Sequence, residues 1–238
     1  MSVEKPFTKE NLDRYLRELA KEFRKRNGTK MPAEIILIGG AAVLARYGFR
    51  EMTYDMDAII HSSEAMRDAI TAVGDREGLP HGWLNTDFMR TASYTTKLEG
   101  YSKYYKTFSN ILQIRTIFAE YLVAMKLMAG RQYKHDLSDV VGIMMEQLER
   151  GDALTFERIR KAVEELYGEY ERIPEYSRTF IEAVFEKEDL KSFYDQCKTM
   201  EQENKEILID FQNNYPGVLN GDNLAEIIKA AREKKSGF

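Results

Sequence analysis

Cysteine is nearly absent from this sequence: Cys197 is the only one among 238 residues. An intrachain disulfide and a cysteine-based zinc site are therefore excluded. A reducing compartment fits that usage, and the expected location is cytoplasmic. Histidine is scarce too, and His61, His81 and His135 form no close-spaced ligand motif. No apolar run approaches the length needed to span a bilayer, so no membrane partner is expected. The opening segment MSVEKPFTKENLDRYL is charged and lacks an apolar centre, so no signal peptide is expected. Charge of one sign is missing as well: 35 Lys and Arg stand against 39 Asp and Glu, a net −4. No global basic field advertises nucleic acid, although a local basic groove stays compatible with that balance. No internal repeat or low-complexity stretch is visible.

What is present suffices for a folded core, with 43% hydrophobic residues over a length that suits one large domain or a domain with an appendage. Thr8–Arg26 predicts an amphipathic helix. Leu12, Tyr15, Leu16, Leu19 and Phe23 recur at helical spacing, and Thr8 can cap it. Ser63 can cap a helix over Glu64–Glu77, which Gly78 and Pro80 end. Lys103–Phe108 and Ile111–Phe118 suit two strands joined at Ser109–Asn110. Ala119–Gly130 and Leu137–Leu148 suit helices. Beyond about Gly151 no strand pattern recurs. Phe156–Tyr170, Tyr176–Phe185, Leu190–Phe211 and Leu224–Glu233 all read as helices. The expectation is an α+β (α/β) half over residues 1–150 and a helical C-terminal region over 151–238, with room for one shared core.

The stretch that carries chemistry is Glu34–Ile60, EIILIGGAAVLARYGFREMTYDMDAII. Glu34–Ile38 reads as a buried strand, Gly39 and Gly40 follow at once, Ala41–Tyr47 reads as a helix, and Tyr54–Ile60 alternates like a second strand. On a strand, residues i and i+2 share a face. Asp55 and Asp57 would then project side by side, with Met56 buried on the other face. Adjacent carboxylates repel unless a cation sits between them. Oxygen ligands at that spacing suit Mg²⁺, which in turn holds substrate phosphates. Bare backbone at a helix start lets N–H groups approach a triphosphate. Each half has a plainer explanation: Gly-Gly is common as a tight turn, and Asp-x-Asp is common on the solvent face of an edge strand. Their order and spacing together favour a metal–nucleotide site.

The order G-G, helix, T-x-D-x-D resembles the signature of the polymerase-β-type nucleotidyltransferase superfamily. Residues 119–141, AEYLVAMKLMAGRQYKHDLSDVV, carry A-M-K-L-x-A-x-R followed by K-x-D-L-x-D. That pair of motifs is similar to the AbiEii-like branch, which includes toxins of toxin–antitoxin pairs. Trp83, Leu84 and Asn85 fit a W-L-N segment found between such motifs. The resemblance spans roughly residues 30–150. It implies a nucleotidyltransferase fold, with a small mixed sheet flanked by helices. It also implies transfer of a nucleotidyl group from an NTP, with Mg²⁺, to a hydroxyl on RNA, protein or a small molecule. An antitoxin protein becomes a possible partner. Asp55 and Asp57 would hold the metal, and Gly39, Gly40, Lys126 and Arg131 the phosphates. Asp136 would orient or deprotonate the attacking hydroxyl. A protein that keeps the fold without catalysis, and binds a nucleotide or a partner, is the alternative.

Plainer explanations stand beside these roles. Lys126 lies on an apolar helix, where a lone lysine often snorkels to the surface. Asp136 and Asp139 at a helix start can serve as caps. Arg50 and Thr53 can pair with the aspartates or simply close the turn. One departure from the family pattern stands out. Where a third metal-binding aspartate is usual, Ile111–Ile117 offers Gln113 and Arg115, with Glu120 just beyond. Tyr94, Tyr101, Tyr104 and Tyr105, interleaved with Lys97, Lys103 and Lys106, could stack bases or form an ordinary hairpin. Arg158, Arg160 and Lys161 could recognise an acceptor or line a solvated helix face.

Overall fold

A computed structural model describes residues 5–29, 31–61, 63–221 and 223–236; Met1–Glu4 of the charged opening segment lie outside the described residues. Thr8 closes strand β1 (Phe7–Thr8) and caps helix α1 (Lys9–Asn27). Its hydroxyl accepts the Asn11 N–H while the Asn11 side chain accepts the Thr8 N–H, so two unpaired donors are satisfied at once. The five apolar residues named for this helix are all buried.

The chain then builds β2 (Ala33–Leu37), α2 (Gly39–Arg46), β3 (Met52–Thr53), β4 (Met56–Ile60) and α3 (Glu64–Glu77). Ser63 caps α3 by accepting the Met66 N–H, and Gly78 ends it in the left-handed region. β5 (Leu84–Asn85), β6 (Ser102–Phe108) and β7 (Leu112–Ile117) complete a five-stranded sheet in the order β5-β4-β2-β7-β6. β2 lies at its centre, antiparallel to β4 and parallel to β7. Ile35, Ile36 and Leu37 are buried on both faces, as a central strand requires. β6 and β7 form a hairpin turned by Ser109 and Asn110, both at positive φ, the geometry a two-residue turn needs. β1 pairs separately with β3.

Helices α4 (Ala119–Ala129), α5 (Asp136–Glu149), α6 (Phe156–Tyr167), α7 (Glu175–Phe185), α8 (Leu190–Asn214) and α9 (Leu224–Ser236) follow. No strand occurs after Gly151 among the described residues. The fold is thus mixed α+β, with a small mixed sheet and a helical C-terminal part. α4 packs on α6, and α5 on α8. One buried cluster runs from Phe7 through Ile159, Val163 and Ile181 to Cys197. The Tyr194 hydroxyl donates to the Phe49 carbonyl at 3.2 Å, and the Tyr167 hydroxyl to the Ser93 carbonyl at 2.8 Å. Both halves therefore contribute to one core.

Two expectations need correction. The strand expected from Tyr54 starts at Met56, because Tyr54 and Asp55 form the bend that leads into it. The helix expected to reach Tyr170 stops at Tyr167, where Gly168 at φ 95° turns the chain. Two-residue strands β1, β3 and β5 are too short for periodicity to reveal.

Candidate functional site

β2 runs into α2 without a loop. Ile38 is the residue before the helix, and its N–H donates to the Asp57 carbonyl at 2.9 Å. Gly39 takes φ +53°, which a side chain adopts only under strain. Gly40 has a packing reason. A Cβ there would lie 2.6 Å from Thr53 Oγ1 and 3.1 Å from Arg50 Nη2. Both neighbours belong to the site, so Gly40→Ala is expected to displace them. We expect a loss of about 1–3 kcal/mol, the usual range for overpacking, measured by denaturant unfolding. An unchanged midpoint would show that Thr53 and Arg50 yield freely.

Thr53 also fixes the first carboxylate. Its hydroxyl lies 3.1 Å from Asp55 Oδ1 and 3.2 Å from the Asp55 carbonyl. Asp57 projects from β4 over Gly39, with Oδ2 3.8 Å from where a Gly39 Cβ would stand. Both aspartates line one cleft of about 310 Å³, together with Gly39, Gly40, Lys126, Arg131 and Asp136. Met56 between them is fully buried. Burial, then the charge of Asp55, pushes the Asp57 carboxyl up to about 6, against the pull of Arg131 and Lys134. Partly buried Asp57 beside exposed Asp55 offers paired oxygen ligands that suit a divalent cation. No cluster of three or more metal-ligating side chains occurs among the described residues. The positions where a third carboxylate was sought are engaged elsewhere. Gln113 donates to Glu34, Arg115 to Ser102, and Glu120 binds Arg158.

Behind the aspartates lies a buried ionic chain. Lys126 Nζ is 2.9 Å from Asp136 and 2.7 Å from Asp139. Arg131 Nε holds the other Asp136 oxygen at 2.7 Å, and Arg50 grips both Asp139 oxygens at 2.8 and 2.6 Å. Three cations thus surround two carboxylates. Burial alone would push the Lys126 ammonium down, but Asp136 and Asp139 outweigh it and hold the pKa up. Burial likewise works against Asp136 and Asp139. Lys126 and the two arginines override it and keep both carboxyls below the usual range. Arg50 and Thr53 therefore pair with aspartates and close the turn as well; Arg50 Nε also donates to the Met52 carbonyl at 3.0 Å. A carboxylate so firmly held is a poor proton acceptor near neutral pH. Asp136 is placed to hold Lys126 and Arg131, which departs from the expected role of base.

The second wall of the cleft comes from α8, through Glu201, Gln202 and Lys205. Glu201 is 2% exposed and caps α5 from outside: it accepts the Leu137 N–H at 2.8 Å, the Ser138 N–H at 3.3 Å and the Ser138 hydroxyl at 2.5 Å. Burial pushes its carboxyl up to about 8, against the pull of those donors. Sequence reading missed this turn, because EQENK looks like any solvated helix face; only tertiary contact marks Glu201 and Asn204 as buried. Tyr54, Tyr133, Lys134 and His135 also line the cleft.

Two other candidates lie elsewhere. Arg158, Arg160 and Lys161 pair with Glu120 and Asp152, Glu164, and Glu165 on α6 and its surroundings, away from the cleft lining. In the tyrosine group, Tyr101 stacks on Tyr121, Tyr94 meets Phe88 edge-on, and Tyr105 and Lys106 both bind Asp13. These contacts are structural.

No helix among the described residues is long and apolar enough to cross a membrane. A family model described as "Nucleotidyltransferase of unknown function (DUF6036)" matches residues 14–176. No curated protein and no solved structure matches the chain. The matched segment holds both aspartates, both glycines and the ionic chain, and it stops before α8.

Proposed function

This chain belongs to the nucleotidyltransferase family DUF6036, and we propose that it moves a nucleoside monophosphate from an NTP to a hydroxyl on RNA, protein or a small molecule. The observation that carries this reading is the convergence of Asp55 and Asp57 on the start of α2 in one cleft. The donor set fits Mg²⁺, held by Asp55 and Asp57. When bound, it would neutralise phosphate charge and orient the α-phosphorus.

The chain's own residues do the rest. The opened backbone at Gly39 and Gly40 faces the donor phosphates. Arg131 stands at the cleft with one side on Asp136, leaving the guanidinium partly exposed toward an anion. Lys126 is committed to Asp136 and Asp139, so it supports the positive wall and does not reach out as a free ligand. The acceptor oxygen bonds the α-phosphorus, the bond to pyrophosphate breaks and pyrophosphate leaves, and the acceptor's proton passes to solvent water. Such a reaction relies on positioning and charge neutralisation more than on covalent help.

A second reading, nucleotide binding without transfer, is favoured by one observation: no third carboxylate joins the pair among the described residues. The motif Lys126–Asp139 is the support for the narrower AbiEii-like assignment, with a toxin role and an antitoxin partner.

The test combines Mg²⁺ with each α-labelled NTP and a cell extract. Label on RNA, protein or a small molecule is expected. The preferred NTP at a hundredfold excess over its Kd should also stabilise the fold by about 2.7 kcal/mol, read as a rise in melting temperature. Stabilisation without label would select the second reading. Neither effect would sink both.

A further inference from the structure

We propose that Lys134 and Lys205 form a two-point clamp on the donor's triphosphate, so that one residue inside the family match and one helix outside it together set donor affinity. This rests on the nucleotidyl-transfer reading above.

The clamp is assembled by one turn of α8. Asn204 is fully buried. Its amide donates to the Gln132 carbonyl at 2.7 Å, and its oxygen accepts from Arg232 Nε of α9 at 2.9 Å. One residue upstream of Gln132, Arg131 is fastened to Asp136. Glu201 fastens the following helix by its first N–H groups. The short connection between α4 and α5, which begins at Gly130 with φ +54°, is therefore tied at both ends and in its middle. Its exposed residue Lys134 then lines the same cleft as Lys205, which is one residue beyond Asn204.

These two ammonium groups differ from the other cleft cations. Arg50, Lys126 and Arg131 each bind Asp136 or Asp139. Lys134 and Lys205 form no ion pair among the described residues. Yet both lysines line the same cleft as Asp55 and Asp57. Held near carboxylates without closing on them, the two lysines suit an anion that enters with its own cation. A triphosphate is such an anion. It is favoured over a polynucleotide acceptor because the cleft is small, about 310 Å³, and the chain carries a net charge of −4. A long polyanion would need a basic track leading away from the site.

The test is equilibrium binding of Mg²⁺–NTP to the full chain, with inorganic tripolyphosphate as competitor. Lys134→Ala and Lys205→Ala should each weaken the NTP by roughly tenfold, the effect of one charge-assisted contact. Lys205→Arg should keep most of the affinity. Tripolyphosphate should compete well against wild type and about tenfold less well against either alanine variant. Nucleoside monophosphate binding should change little. Both lysines are exposed, so unchanged melting temperatures should accompany these losses. If wild type binds an NTP and both alanine variants bind it equally well, the clamp is overturned while the nucleotide reading stands. If wild type binds no NTP or tripolyphosphate at all, both fall together. If NTP affinity is untouched but label transfer to a phosphorylated acceptor drops, the lysines serve the acceptor and the clamp is again overturned.

Discussion

Asp57→Asn is expected to raise the melting temperature of the ligand-free protein at pH 7.5 while abolishing its response to Mg²⁺ and NTP. The sign follows from the carboxyl's folded pKa, about 6 against an ordinary 3.8. A raised value means that the folded state binds the proton more tightly than the unfolded chain does. Stability from this group is greatest below about pH 4 and is lost as pH rises through about 6. At pH 7.5 the ionised carboxylate therefore works against the fold. The full pKa difference corresponds to at most about 3 kcal/mol. Partial exposure and the polarity of the replacing amide reduce that to about 1–2 kcal/mol. For a chain of this size the gain is roughly 2–6 °C. At pH 4 the advantage should shrink to a small remainder, because Asp57 is then protonated in the folded state and close to half protonated in the unfolded chain. With Mg²⁺ and NTP the order should invert, since only wild type gains from binding. Melting curves at the two pH values, with and without ligand, check all of this. Equal curves throughout would remove Asp57 from the site and from the strain.

The fold was legible wherever a local signal coincided with a tertiary role. The Thr8 cap, the Ser63 cap with its Gly78 end, and the Ser109–Asn110 turn each combine sequence chemistry with a backbone need, and each stands where the residues place it. Asp55 and Asp57 do reach one cleft, although only Asp57 sits on the strand. Their alternation was readable; the bend at Tyr54 was not, because Thr53 Oγ1 holds Asp55 by a side-chain bond that no periodicity reports. Lys126 was legible as a residue and illegible as a neighbour. Its helix carries no polar stripe to show where an ammonium would go. The two aspartates that receive it lie ten and thirteen positions later, at the start of α5. Glu201 is the extreme case. Nothing in a charged helix turn announces a carboxyl that leaves solvent to cap another helix 64 residues away.

Lys126→Met is expected to cost the fold about 3–5 kcal/mol, the range for removing one partner from a buried ionic group. Sequence resemblance implies a milder outcome, a free phosphate ligand whose loss weakens NTP binding and spares the fold. The geometry argues otherwise. The ammonium is 7% exposed and touches Asp136 at 2.9 Å and Asp139 at 2.7 Å. Without it, each aspartate keeps one arginine, Arg131 or Arg50, and loses a buried counter-charge. Methionine preserves most of the stem's volume, so the loss reports charge more than cavity. Against a typical total of about 5–15 kcal/mol, this is a large fraction. The melting temperature should drop by roughly 6–15 °C. The pH dependence separates this account from a packing defect. Asp136 and Asp139 have depressed pKa values. Their contribution is present above the ordinary carboxylate range and is lost as pH falls through the depressed values. Lys126 has a raised value, so its share persists at least to its ordinary 10.5. The gap between wild type and Lys126→Met should therefore stay flat from pH 6 to 9 and narrow progressively below about pH 4. A packing defect would give a gap that ignores pH. Should Lys126→Met melt with wild type across the whole range and lose only NTP affinity, Lys126 would be the free phosphate ligand that the motif implies, and the buried ionic chain would contribute nothing to stability.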